Sequence, residues 1–170
     1  MTKDLITARD FASVLAKRSA EVPNRPWIVT DEQVYSYRTM DERSSRLAKG
    51  VDGLGIGTND TVLVMLPDTV HFVLIWCALS KLGAIEVPVN VHYRGNLLTY
   101  LVNDSMAQTM VVDTRFLERL DSISKDLIHL KRHIWKKWGW HARHEYGPLI
   151  EDVFGETCLK NTSSRARSLA

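Results

Sequence analysis

Three observations predict an α/β fold with a mostly parallel sheet for this chain of 170 residues. The continuous apolar run at 61–66 reads as a strand buried on both faces, and 84–89 and 109–112 read as a second and a third strand. Helical periodicity fills the gaps between them, at 69–83 and 96–103, and resumes after 113. Strand follows helix in short steps, which is the sequence signature of right-handed βαβ crossovers.

The elements follow in order. Residues 8–20 place Ala8, Phe11, Ala12, Leu15 and Ala16 on one helical face, with Thr7 as the expected N-cap. Pro23 and Pro26 end that helix. Residues 27–30 and 34–37, separated by Asp31-Glu32-Gln33, then read as a hairpin. Thr39 and Glu42 make a capping-box pair that opens a helix with Met40, Leu47, Val51 and Leu54 on one side. It stops at Gly53, Gly55 and Gly57. The first buried strand runs from Thr61 to Leu66 and ends at Pro67-Asp68. The helix from Thr69 to Gly83 is apolar almost all round, so it needs cover on more than one side. Pro88 has no N–H for a ladder, which places it at a strand end or a sheet edge. Leu97, Leu98, Leu101 and Val102 mark the next helix, and Asp113-Thr114 caps one bearing Phe116, Leu117, Leu120 and Ile123. After about residue 131 the alternation dissolves, and from Thr157 the residues are polar and Ser/Arg-rich. The chain is thus expected to divide into a folded part, 1–130, and a divergent, partly disordered tail, 131–170.

Composition narrows the function. Hydrophobic residues make up 45%, enough for one sizeable core. Lys plus Arg is 22 against 20 acids, and a net charge of +2 sets up no general field for nucleic acid or anionic membrane. Cys77 and Cys158 form no CxxC pair, so neither a disulfide framework nor a zinc knuckle is indicated. The longest apolar stretch, Val70 to Leu79, is about half the ~20 residues that span a bilayer. The N-terminus mixes acids with bases and shows no export signal, so the expected location is the cytoplasm.

Gly53, Gly55 and Gly57 follow a helix and open a strand, the reverse of a dinucleotide fingerprint, and read as a helix stop and turn. Asp68, Asn90 and Asp113 each fall just past a strand's C-terminal end, the rim where open α/β sheets bind ligands. The same positions suit helix caps and turns, and no two of them make an acid/base dyad. His141, His144 and Cys158 offer three metal ligands without a fourth, so no metal site is assigned. The run from Lys131 to His144 holds five Lys/Arg, three His and three Trp without an acid. Such a mixture stacks on single-stranded bases or lies in a membrane interface, but the tryptophans keep no helical face. A solvated surface is preferred, with neither nucleic acid nor membrane as partner. GxSxG and P-loop motifs are absent, and Cys77 reads as inert core.

The block Leu79-Ser-Lys-Leu-Gly-Ala-Ile-Glu-Val-Pro-Val-Asn90 resembles the second core motif of the adenylate-forming (AMP-binding) superfamily, which includes acyl-CoA synthetases, luciferases and peptide-synthetase adenylation domains. Val34 to Met40 is similar to the first core motif, Gly55 to Pro67 to the Gly-x-x-x-Gly-Asp-x-Val strand, and Tyr93 to Ser105 to the helix that follows. Within the superfamily, Asn90 to Ser105 resembles crotonobetaine/carnitine and medium-chain acyl-CoA ligases. The blocks fall in the right order and cover roughly residues 8–130.

This resemblance implies the N-terminal subdomain of the adenylate-forming ligase fold, truncated. It implies activation of a carboxylic acid with ATP to an acyl-adenylate, then thioester formation with CoA, with magnesium assisting the first step. It also implies that the phosphate loop, the magnesium glutamate, the ribose aspartate and the lysine of the C-terminal domain fall past Ala170. No catalytic residue is therefore assigned, and the chain is expected to be inactive alone. The alternative is a truncated, non-catalytic paralogue acting as a binding or regulatory module.

In some relatives a basic residue just after the Val-Pro-x-Asn block touches the CoA nucleotide. Here that neighbourhood holds His92 and Arg94, candidate CoA contacts, with a plain surface role as the competing reading. An unfinished half-sheet also leaves the helix from Thr69 to Gly83 short of cover, so self-association through that apolar surface is expected. Beyond 131 the family continues with an apolar strand, and a local shift of reading frame would produce the Trp/Lys/His-rich stretch found here.

Overall fold

The computed structural model describes residues 10–67 and 69–136, the last three through their backbone alone. They fall into two compact units, one of residues up to Thr58 with Thr69–Ala84, the other of residues from Asn59 with those from Ile85 onward.

The first unit holds α1 (Phe11–Glu21), a hairpin of β1 (Pro26–Val29) and β2 (Val34–Ser36), α2 (Tyr37–Gly53) and α3 (Val70–Leu82). The strands β1 and β2 pair antiparallel, as the hairpin reading expects. Helix α1 starts at Asp10 rather than Thr7: the Asp10 carboxylate accepts the Ser13 N–H at 2.7 Å and the Ser13 hydroxyl at 2.7 Å. Thr7 lies outside the described residues. Helix α2 likewise starts one turn earlier than the Thr39–Glu42 pair suggests. Strand β2 runs into it without a loop, so the junction residue Ser36 is the cap, its Oγ accepting the Thr39 N–H at 3.2 Å. Met40, Leu47 and Val51 are buried, whereas Leu54 is the C-cap. Phe11 stacks on Trp76 at 4.2 Å and Trp27 on Tyr37 at 5.4 Å, linking α1 to α3 and the hairpin to α2.

The Leu-Ser-Lys-Leu-Gly block is a fastening between α2 and α3. Lys81 Nζ donates to the Asp41 carboxylate and, at 2.8 Å, to the Ser45 hydroxyl. Helix α3 ends on Gly83 in the left-handed region, φ +70°, where an added Cβ would meet Thr58 Oγ1 at 3.2 Å. Thr58 Oγ1 in turn donates to the Leu82 carbonyl at 3.0 Å. Val70, Leu74, Ile75, Cys77, Ala78 and Leu79 of α3 are buried, which meets the expectation of cover on more than one side.

The second unit is a four-stranded parallel sheet of β3 (Thr61–Met65), β4 (Ile85–Pro88), β5 (Thr109–Asp113) and β6 (Arg132–Lys136), in the order β4-β3-β5-β6. It carries α4 (Gly95–Asp104) and α5 (Leu117–Ile123), the latter entered through a 3₁₀ turn at Thr114–Phe116. Strand β5 is buried throughout and β3 nearly so, the environment that makes their sequences continuous apolar runs. Leu63, Met65, Leu98, Val102, Met110 and Val112 are the centre of the core. Pro88 closes β4, which is an outer strand among the described residues. Strand β6 lies where the sequence pattern suggests that the alternation has dissolved. It pairs with β5 from Thr109↔Arg132 to Asp113↔Lys136, and Arg132 Nε donates to Thr109 Oγ1 at 2.7 Å. Ladder pairing runs through the backbone, so a polar segment forms this strand without announcing it in an apolar pattern.

Candidate functional site

The connection from β4 to β5 passes over β3, while β5 to β6 moves on to the next neighbour. Strand order therefore reverses between β3 and β5, and in open α/β sheets ligands bind outside the carboxyl ends of the strands at such a switch. The segments after β4 and β5 supply the described side chains of that rim; Asp68 lies outside the described residues.

Asn90 closes a turn. Its Oδ1 accepts the His92 N–H at 2.9 Å and its carbonyl accepts the Tyr93 N–H at 3.0 Å. That turn leaves His92 and Arg94 exposed, Arg94 standing immediately before α4 as its N-cap residue without a side-chain capping bond. Asp113, fully buried, accepts the Arg115 N–H at 2.9 Å, Nε at 3.0 Å and Nη2 at 3.1 Å. The carboxylate is committed to this fork, so it is no general base. The hydrogen bonds hold the Arg115 guanidinium above its ordinary pKa against an opposing desolvation. Asn90 and Asp113 thus take the turn and cap roles that their sequence positions also allowed.

What the sequence pattern does not reveal is the basic cluster after β5. Both Arg115 and Arg119 lie over the Phe116 ring, at 5.6 Å and 4.6 Å from its centroid. Arg119 Nη1 is buried without a hydrogen-bond partner among the described residues. Desolvation first, and the charge of Arg94 second, lower the Arg119 pKa, so the two guanidiniums feel each other. The one local signal is the run Arg115-Phe-Leu-Glu-Arg119 directly after a strand end, in which Phe116 reads from the sequence as helix core.

A second group hidden in the sequence is Glu86, midway along β4. Neither carboxylate oxygen has a hydrogen-bond partner among the described residues, and burial pushes its pKa up to about 7. It has no acid/base companion there, so the site gains no catalysis from it. Among the described residues no group of three or more His, Cys, Asp or Glu is placed to hold a metal ion, and no helix is long and apolar enough to cross a membrane. His141, His144 and Cys158, together with Trp138 and Trp140 of the basic stretch, lie outside the described residues.

A parallel sheet with crossover helices and a switch point in its strand order defines an α/β class. Solved structures sharpen it: a fatty acyl CoA synthetase of Mycobacterium tuberculosis superposes with a TM-score of 0.69 at 21% identity, over 76% of this chain and 26% of that one. The fold is that of the N-terminal part of adenylate-forming ligases. The AMP-binding enzyme family matches residues 15–147, and the chain belongs to it.

Among curated relatives, human long-chain fatty acid transport protein 6 is 29% identical over 125 residues, covering 73% of this chain and 20% of that protein. Crotonobetaine/carnitine–CoA ligase of Escherichia coli O1:K1 / APEC is 30% identical over 125 residues, covering 74% of this chain and 24% of the ligase. The chain therefore spans about a fifth to a quarter of the length of these relatives.

Proposed function

We propose that this chain is the N-terminal scaffold of an ATP-dependent carboxylate–CoA ligase acting in the cytoplasm, and that the 170-residue chain alone forms no acyl-adenylate. The observation that carries the reading is how the motif residues are used. Lys81, Gly83, Asn90 and Asp113 are all engaged in fastening, capping or turning, while the match to relatives is confined to a fifth to a quarter of their length. The proposed substrate class is a carboxylic acid. Relatives are named for long-chain fatty acids, for 3- and 4-hydroxybenzoate and for crotonobetaine.

ATP and magnesium find no fitting donor set among the described residues, so no step through them is derived. CoA fits better: His92 and Arg94 stand exposed after β4, cationic or protonatable side chains suited to phosphate. When bound, CoA supplies the thiol that takes the acyl group as a thioester. For the tail the proposal is a divergent segment from about residue 131, with a local shift of reading frame in it.

Sequencing the transcript downstream tests both parts. A continuing frame that encodes a Ser/Thr/Gly-rich loop with its lysine supports the ligase reading. A stop codon directly after Ala170 in a confirmed transcript contradicts it and leaves the non-catalytic module.

A further inference from the structure

We propose that the outer face of α4 is a self-complementary interface, on which a second copy of this chain docks with its own α4 antiparallel. Leu97 and Tyr100 are 53% and 66% exposed on that helix, and Met106 and Ile128, 70% and 74% exposed, continue the apolar surface past its end. Asn103 holds the patch together. Its carbonyl accepts the Met106 N–H at 3.1 Å and its Oδ1 accepts the Ile128 N–H at 2.9 Å, while Tyr100 lies about one turn before it on the same helix. Large apolar side chains gathered in this way mark a docking surface, unlike the single exposed residues that any surface carries.

The charges at the two ends of α4 identify the occupant. Arg94 is the N-cap residue and Asp104 the last residue of the helix, and both are exposed. Each stands at the wrong end for the helix dipole, a cation beside the unpaired N–H groups and an anion beside the unpaired carbonyls. Arg94 makes no capping bond, and neither side chain is in an ion pair among the described residues.

A second α4 laid antiparallel corrects both faults. Its Asp104 comes to Arg94 and its Arg94 comes to Asp104, two equivalent contacts about a two-fold axis. That axis falls near the middle of the helix, so Leu97 of each copy meets Tyr100 of the other. An acidic partner would satisfy one end of α4 and a basic partner the other; a copy of the chain satisfies both. So few large side chains make an interface smaller than the standard ~1,600 Å², and the dimer is accordingly a weak one.

The test is sedimentation velocity of the 170-residue chain over a concentration series at low salt. CoA is left out, because Arg94 is also a candidate contact for it. The expected result is a monomer–dimer equilibrium that stops at two copies. Arg94→Glu and, separately, Asp104→Arg bring like charges together at both symmetry-related contacts and weaken the dimer at least ~10-fold. Mixing the two variants restores it, because both contacts of the mixed dimer again join opposite charges. Lys49→Glu, exposed on α2, leaves it unchanged. Each single variant at the end of α4 suits the helix dipole better than the parent residue, so its urea midpoint at low concentration is no lower than the parent's and loss of the dimer is not loss of the fold.

A chain that stays monomeric at hundreds of micromolar overturns the proposal. Association that runs on past the dimer, or that survives in both variants, also overturns it, and is the behaviour of an apolar face whose cover is a different polypeptide. A mixture of the two variants that fails to dimerise contradicts it as well.

Discussion

Replacing Glu86 by Gln should stabilise the chain, and by an amount that depends on pH. The carboxyl is pushed from 4.5 to about 7 by burial, with no compensating hydrogen bond among the described residues. Moving a pKa by one pH unit is worth about 1.4 kcal/mol, which sets a ceiling of about 3 kcal/mol for ionising the group in the folded chain. Glu86 is only half-buried, so solvent screening reduces this to about 1–2 kcal/mol.

The sign follows from proton binding. A raised carboxyl pKa means that the folded chain holds a proton the unfolded chain has released, so this group's contribution to stability falls as pH rises from about 4.5 to about 7 and is level above. Gln has the shape of the protonated acid and does not titrate. Urea unfolding of both forms at low protein concentration from pH 4 to 8 isolates the effect, because every other carboxylate cancels in the difference. The expected difference is near zero at pH 4 and reaches about 1–2 kcal/mol in favour of Gln by about pH 7.5. A difference that stays flat across this range, or that favours Glu at its alkaline end, refutes the reasoning.

Three further outcomes follow from the packing. Gly83→Ala places a Cβ at φ +70° against Thr58, at 3.2 Å from its hydroxyl oxygen, and should cost about 1–2 kcal/mol in the same urea assay, with no change expected from Gly57→Ala, whose Cβ meets nothing within 4 Å. Ser36→Ala removes the cap of α2 and should cost about 1 kcal/mol, whereas Ser36→Asp, which restores an acceptor for the Thr39 N–H, should recover most of it. Large apolar side chains such as Tyr100, Met106 and Ile128 are exposed, so the chain is expected to self-associate at tens of micromolar; sedimentation velocity showing a monomer at every concentration would remove that expectation.

The strands β3 and β5 are legible in the sequence because both faces are covered, which leaves an apolar run whatever the surroundings. The stop of α3 at Gly83 is legible because a left-handed helix end calls for glycine. The caps at Asp10 and Ser36 are displaced by a turn of helix from the expected ones, since several Ser, Thr and Asp residues compete near each start and the chain path decides between them. Strand β6 escapes because backbone pairing leaves no mark on a segment such as Arg132-His133.

The rim is half legible. Asn90 and Asp113 stand out as strand-end residues and Arg94 through the resemblance, whereas Arg119 does not, because its neighbour Phe116, whose ring it covers, reads as helix core. Lys81 and Asp41, 40 positions apart, are hidden because packing of two helices, not local sequence, joins them. The partial burial of Glu86 within an outer strand has no local signature at all.

The most direct test of the central claim is pyrophosphate release by the purified 170-residue chain, supplied with ATP, magnesium and a panel of fatty and aromatic carboxylic acids. A chain that shares the fold of the ligases' N-terminal part and, as proposed, forms no acyl-adenylate alone releases none above the ATP-only background. Release that requires both ATP and one of the acids would contradict the account.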